Sequence, residues 1–142
     1  MAKANDAYQI VWLVRRLFRA MAQRSNESLQ DLGISAADRA VMEFLYPDER
    51  LSVPEIAERY QVSRQHVQIT VNDLVKSGLL AKKTNPRHKR SQLIALTSRG
   101  RALFRRIKDR DTNTIREMFS QISESDRRVT QETLETLLAK LK

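Results

Sequence analysis

Cysteine is absent from the 142-residue sequence. There is therefore no disulfide framework, no thiolate nucleophile and no cysteine redox switch. Histidine is scarce too: His66 and His88 are the only two, and their neighbours are basic or amide residues. That falls short of a typical zinc ligand set, so no metal and no cofactor is assigned, and both histidines are expected to face solvent or a polyanion. Three glycines form no phosphate-cradling loop, and no Ser/His/acid arrangement can be assembled, so catalytic residues are none and an enzyme is not expected. No apolar run is long enough to span a bilayer, which leaves the cytoplasm as the expected location and no membrane partner. The length suits one domain-sized chain with a real core.

What is abundant is positive charge in one place. The net charge is +9. Residues 1–75 carry nine Lys/Arg and ten Asp/Glu, and residues 111–142 carry five and six. Residues 76–110 carry twelve Lys/Arg against Asp109 alone. A basic field concentrated in this way suits a polyanion, with counterion release supplying most of the non-specific affinity. Aromatic platforms for stacking single-stranded bases are missing there, which argues against RNA.

The stretch from Leu51 to Arg101 organises the rest. Ser52 precedes an apolar-periodic run (Val53, Ile56, Ala57, Tyr60) with Glu55 three residues on, the capping-box pattern of a helix start, and Pro54 sits in the tolerant first turn. Leu51-Ser52 is a candidate brief strand. Ser63 caps a second predicted helix, in which Val67, Val71, Leu74 and Val75 share one buried stripe and Gly78 is the stop. Two short helices joined by a tight turn make a helix-turn-helix, whose second helix fits the DNA major groove. The candidate DNA contacts begin with Ser63 and His66 at that helix start. On its outward face Arg64, Gln65, Gln68, Ile69 and Asn72 offer guanine or phosphate, adenine and thymine-methyl contacts. An ordinary solvated face usually holds Glu/Lys pairs, and this one has no acidic residue before Asp73.

Residues 79–84 and 92–96 are short strand candidates joined by the turn-forming Asn85-Pro86 and the basic run Arg87, His88, Lys89, Arg90. A hairpin so charged can track phosphates or insert an Arg into a minor groove, and Lys82, Arg87, Lys89 and Arg90 complete the DNA-binding set. A solvated basic loop is the alternative.

These motifs, EIAERYQVS, DLVKSGLL, the basic hairpin and then LTSRG opening a long helix, resemble the winged helix-turn-helix of the MarR family of bacterial transcriptional regulators. The resemblance is close over the middle third and follows the whole chain in helix order. It implies an obligate dimer on a palindromic operator, often released from DNA by a small molecule. The family wing holds an Asp two residues before its conserved Arg; here Arg90 matches the Arg and His88 stands where the Asp would be, removing the salt bridge that would brace the wing. Lacking Cys, the chain cannot belong to the peroxide-sensing branch.

The flanks fit that plan. From Asn5 to Met21 a helix pattern is apolar on more than one side (Ile10, Val14 and Leu17 on one stripe, with Tyr8, Val11 and Trp12 widening it), so it should be buried on two sides. A basic amphipathic membrane helix is the rival reading. Gly33 breaks the pattern, and Ser35 with Asp38 forms a second capping box before a helix with Ala40, Val41, Phe44 and Leu45 as its core stripe. Thr97 caps a long helix from Ser98 to about Gln121, with Arg99 and Arg101 placed near phosphates. Ser123 and Asp126 form a third box, opening a final helix with Leu134, Leu137, Leu138 and Leu141 on its stripe. A monomer has little left against which to bury that stripe, and the first helix of a twofold mate is the economical partner.

The expected fold class is mainly α with a small β wing: residues 35–97 form a winged helix-turn-helix DNA-binding domain, and residues 1–34 and 98–142 a helical dimerisation region. The expected function is a dimeric sequence-specific regulator binding double-stranded DNA at a pseudo-palindromic operator, a repressor released by a small-molecule effector. The alternative is a non-specific architectural or nucleoid DNA-binding protein. Dimerisation is assigned to Ile10, Val14, Leu17, Met118, Ile122, Leu134, Leu137, Leu138 and Leu141, and effector binding, by position on the first two helices, to Trp12, Arg16, Phe44 and Tyr46.

Overall fold

The computed structural model describes residues 2–141, with side chains from residue 5 onward. Six helices and three short strands follow in the order α1 (Ala2–Gln30), α2 (Ala36–Leu45), β1 (Leu51–Ser52), α3 (Val53–Tyr60), α4 (Arg64–Lys76), β2 (Leu80–Lys83), β3 (Leu93–Leu96), α5 (Ser98–Met118) and α6 (Glu124–Leu141). The chain divides into two compact units, one running through Lys108 and the other starting at Asp109.

In the first unit the local signals are obeyed. Ser35 and Ser52 each form a full capping box, with Asp38 and Glu55 returning the bond to the cap backbone. Ser63 Oγ accepts the His66 N–H at 3.0 Å and starts α4. Gln61 ends α3 in the left-handed region at φ 60°, where glycine is the usual occupant and other residues lose about 1 kcal/mol. The left-handed backbone there lets α4 begin only three residues later, at Arg64. Gly78 ends the next helix at φ 77° without such a cost.

β3 lies between β1 and β2, antiparallel to both, with Leu51 opposite Ile94 and Leu80 opposite Leu96. The sheet and α2, α3 and α4 close over one apolar core. Val41, Met42, Leu45, Ile56, Val67, Val71 and Ile94 are its innermost members, and Leu29, Phe104 and Ile107 join from α1 and α5. The expected α2 stripe misses Met42, which is fully buried because this short helix is covered on more than one side; Phe44 is only partly buried.

Several expected boundaries shift. α1 continues to Gln30 because nothing interrupts it before Gly33. α5 stops at Met118, where Ser120 Oγ donates to the Glu117 carbonyl in place of another helical turn. In the second unit Asp126 N–H bonds Ser123 Oγ at 3.1 Å, giving one half of the third capping box.

Candidate nucleic-acid interface

The period of α4 sorts its residues into two faces. Val67, Thr70, Val71 and Leu74 are buried, and Thr70 Oγ1 satisfies itself on the His66 carbonyl at 3.1 Å. The opposite face therefore holds Arg64, Gln65, Gln68, Ile69 and Asn72, all exposed. Gln68 Nε2 donates to Asn72 Oδ1 at 2.9 Å, one helical turn away. With that bond made, the carbonyl oxygen of Gln68 and the amide hydrogens of Asn72 are left for other partners. Ile69, 57% exposed, stands beside them as a methyl-bearing surface.

The hairpin joining β2 and β3 carries the charge. Asn85 builds its turn: Asn85 Oδ1 accepts the Arg87 N–H at 3.0 Å, and the Asn85 carbonyl accepts from His88. A further turn links Ser91 N–H to the His88 carbonyl. Backbone turns thus organise a tip that has His88 where an acidic partner would stand, and among the described residues no salt bridge engages Arg90. The carboxyl of Glu55 is held below its ordinary pKa, chiefly by the hydrogen bond from the Ser52 backbone, then by the Ser52 hydroxyl, with smaller contributions from Arg59 and Arg87.

Between α4, the start of α3 and the base of the wing lies an open cleft of about 360 Å³. Arg64, Gln65, Gln68, Lys82 and Arg90 meet in it, above a floor that includes Val53, Pro54 and Ile94. Three cations and three amides, Gln92 being the third, thus border one concavity. Ile69 and Asn72 continue the same helix face, while Arg87 and Lys89 stand exposed on the wing tip. Ser63 serves as the helix cap. His66 lies apart from the cleft, its ring edge-on to Tyr60 at 6.5 Å, and Tyr60 packs in turn on Phe44 at 5.9 Å. Ser91 and Gln92 also line the cleft and went unnoticed in the sequence; their position directly after the basic run was the available signal.

Arg99 and Arg101, expected near phosphates, both make hydrogen bonds within the protein, Arg99 while remaining exposed. Arg99 Nη1 donates to the Ser77 carbonyl at 3.1 Å, and Arg101 Nε donates to the Pro47 carbonyl at 2.8 Å with Asp48 beside it at 3.5 Å. The first turn of α5 passes so near these exposed backbone carbonyls that the guanidinium groups satisfy them.

Comparison with known proteins now bears on this geometry. Residues 32–91, which hold α2, α3, α4, β2 and the wing tip, match the model of the MarR family. Over that stretch the chain is similar to the MarR family. The winged helix described above is, up to the wing tip, the part of the chain that this match covers. An uncharacterized protein of Mycobacterium tuberculosis is 28% identical over 96% of this chain and 90% of its own length. Among solved structures, the transcriptional regulator BldR of Sulfolobus solfataricus has a TM-score of 0.80 at 21% identity, covering 99% of both chains. MepR of S. aureus in its DNA complex has a TM-score of 0.81 at 21% identity, covering 92% of this chain and 96% of that one.

The remaining expected sites lie elsewhere. Tyr46 stacks on Phe104 at 4.9 Å with Lys108 Nζ 5.3 Å from its ring centre, Phe44 packs on Tyr60, and Trp12 and Arg16 are exposed on α1. Ile10, Val14 and Leu17 on α1 are about half exposed, with Trp12, Leu13 and Phe18 beside them. In the second unit Met118, Ile122, Leu134, Leu137, Leu138 and Leu141 are exposed, and α6 buries no residue at all. Ile115, Phe119, Leu134 and Leu138 line an open apolar crevice of about 740 Å³ there.

Proposed function

We propose that this chain is a homodimeric repressor that acts in the cytoplasm on a pseudo-palindromic operator. The observation carrying the reading is the cleft in which Arg64, Gln65 and Gln68 of α4 meet Lys82 and Arg90 of the wing. Sequence information needs side chains that can tell bases apart, and phosphate contacts alone supply none. Here amides and an exposed Ile stand beside the cations. Two copies related by a twofold would set their α4 helices into successive major grooves about 34 Å apart, with each Arg90 directed to a flanking minor groove.

The exposed apolar residues of α1 and the wholly unburied α6 support the dimer, since large aliphatic and aromatic side chains in such numbers are costly to leave in water. Repression follows from occupancy of an operator that overlaps a promoter. Release by a small molecule at Trp12, Arg16, Phe44 and Tyr46 completes the proposal. Such a molecule must bind the released form more tightly than the DNA-bound one, and displacing Tyr46 from Phe104 would be one way to change the lobe.

Selection of bound fragments from a random DNA pool, with purified protein at near-physiological salt, tests the reading. Enrichment of an inverted repeat with half-site centres about one helical turn apart is the expected result. Recovery of fragments with no shared motif would replace it with a non-specific architectural role driven by the basic wing.

A further inference from the structure

We infer that Arg99 and Arg101 are positioning residues for DNA reading: Arg99 clamps the end of the recognition helix α4 to the start of α5, and Arg101 ties that same start to the loop after α2. This rests on the sequence-specific reading proposed above. The segment Thr97–Arg101 is tied to two other parts of the first unit. On one side Thr97 Oγ1 donates to the Gly78 carbonyl at 2.7 Å, Thr97 N–H to the Leu79 carbonyl at 3.1 Å, and Arg99 Nη1 to the Ser77 carbonyl at 3.1 Å. All three acceptors belong to the turn that ends α4. On the other side Arg101 Nε takes the Pro47 carbonyl at 2.8 Å, at the end of α2.

Two further observations show how closely the parts fit. A Cβ added at Gly100 would run into the Leu79 carbonyl oxygen, so helix α5 approaches the turn as nearly as backbone can. A Cβ at Gly78 would touch Arg99 Nη1 at 3.5 Å, which puts the guanidinium directly over the left-handed residue that stops α4.

The consequence concerns angle more than stability. The last carbonyls of a helix lack intrahelical partners, and whatever accepts or donates there fixes how the helix leaves its last turn. At Ser77 that partner is a rigid, planar, always charged group from α5. A small rotation of α4 about its buried stripe would move Gln68 and Asn72 out of register with base edges while leaving the phosphate contacts of the wing nearly unchanged. The clamp should therefore matter for specific binding and little for non-specific binding.

The test uses Arg99→Met, Arg101→Met and, as controls that keep the charge, Arg99→Lys and Arg101→Lys. Each is measured on the duplex recovered from the random pool and on a shuffled duplex of equal length, across a salt series below the unfolding temperature. Positioning predicts that the Met variants lose roughly fivefold in specific affinity, as for one ordinary hydrogen bond, while shuffled-duplex affinity and the salt slope stay as in the parent. Arg99→Lys, which can still donate to the Ser77 carbonyl, should recover part of the loss. A salt slope that falls by about 0.9 per substituted contact would make these residues phosphate ligands and overturn the inference. A lower melting temperature with both affinities unchanged would reduce them to structural bracing and overturn it equally. If the parent protein shows no preference between duplexes, the sequence-specific reading itself fails. Amide exchange then decides the clamp alone: faster exchange at residues 77–79 in Arg99→Met supports it, and unchanged exchange removes it.

Discussion

Arg90 and Gln68 share one cleft but should behave as different kinds of contact. Arg90 stands on the wing with no ion pair among the described residues, so its charge is fully available to a groove or a phosphate. Arg90→Ala should weaken binding to all DNA, by about tenfold on the operator, and flatten the salt dependence. Gln68 carries no charge and is already oriented by Asn72. Gln68→Ala should leave the salt slope alone and relax base preference at one or two positions per half-site, at a cost of about 1–3 kcal/mol for the preferred base. Fluorescence titration against single-base operator variants separates the two behaviours, and uniform weakening by Gln68→Ala would make it a phosphate contact instead. Glu55 supplies the pH-sensitive residue. Its folded pKa is depressed, chiefly by the Ser52 backbone bond, so its stabilising contribution is fully present at neutral pH. That contribution is lost as pH falls through the depressed value. The melting-temperature gap between the parent and Glu55→Gln should accordingly narrow as pH falls below the ordinary carboxylate value of 4.5; a gap that stays constant there would remove the linkage.

At the level of elements, what could be read in the sequence followed from chemistry local to a few residues. Ser35 with Asp38 and Ser52 with Glu55 announced α2 and α3 because a cap and its return bond lie within one turn. The apolar stripe of α4 was equally visible, and its outward face followed from the same period. The cleft was legible in its members but not in its shape, since Lys82, Arg90 and Gln68 meet only once β2 and β3 pair. Arg99 and Arg101 show where local reasoning stopped. Their charge and place beside a basic wing suggested phosphates, while their partners, the Ser77 and Pro47 carbonyls, lie 22 and 54 residues away. Gly100 belongs to the same class: its function is clearance for the Leu79 carbonyl, which no local pattern encodes. Gly100→Ala must push α5 from the turn at Leu79, and the expected loss is about 2–3 kcal/mol of stability, the range for overpacking a tight contact. Urea unfolding followed by circular dichroism measures it, and a loss below about 0.5 kcal/mol would mean the junction yields freely, as ordinary surface sites do.

For the whole molecule, the decisive matter is apolar surface that one chain leaves in water. Leu138 is 60% exposed and lines the apolar crevice of the second unit, and α6 around it buries nothing. In an isolated chain Leu138→Asp should therefore cost little, because the carboxylate would sit in solvent. In a twofold dimer the same residue is expected in the interface, where an unpaired carboxylate costs several kcal/mol, and an isologous contact incurs that cost in both copies. Light scattering over a concentration series, alongside circular dichroism, distinguishes the cases. The expected result is a parent of dimer mass and a Leu138→Asp variant of monomer mass with its helical signal retained, binding a half-site duplex as well as the full repeat. If the variant unfolds, Leu141→Asp, at an 87% exposed position near the end of α6, repeats the test where a folded monomer has least to lose. Dimer mass in both variants with unchanged operator affinity would place the twofold contact outside α6, and the exposed face of α1 around Leu13 and Phe18 would then be the surface left to hold two copies together.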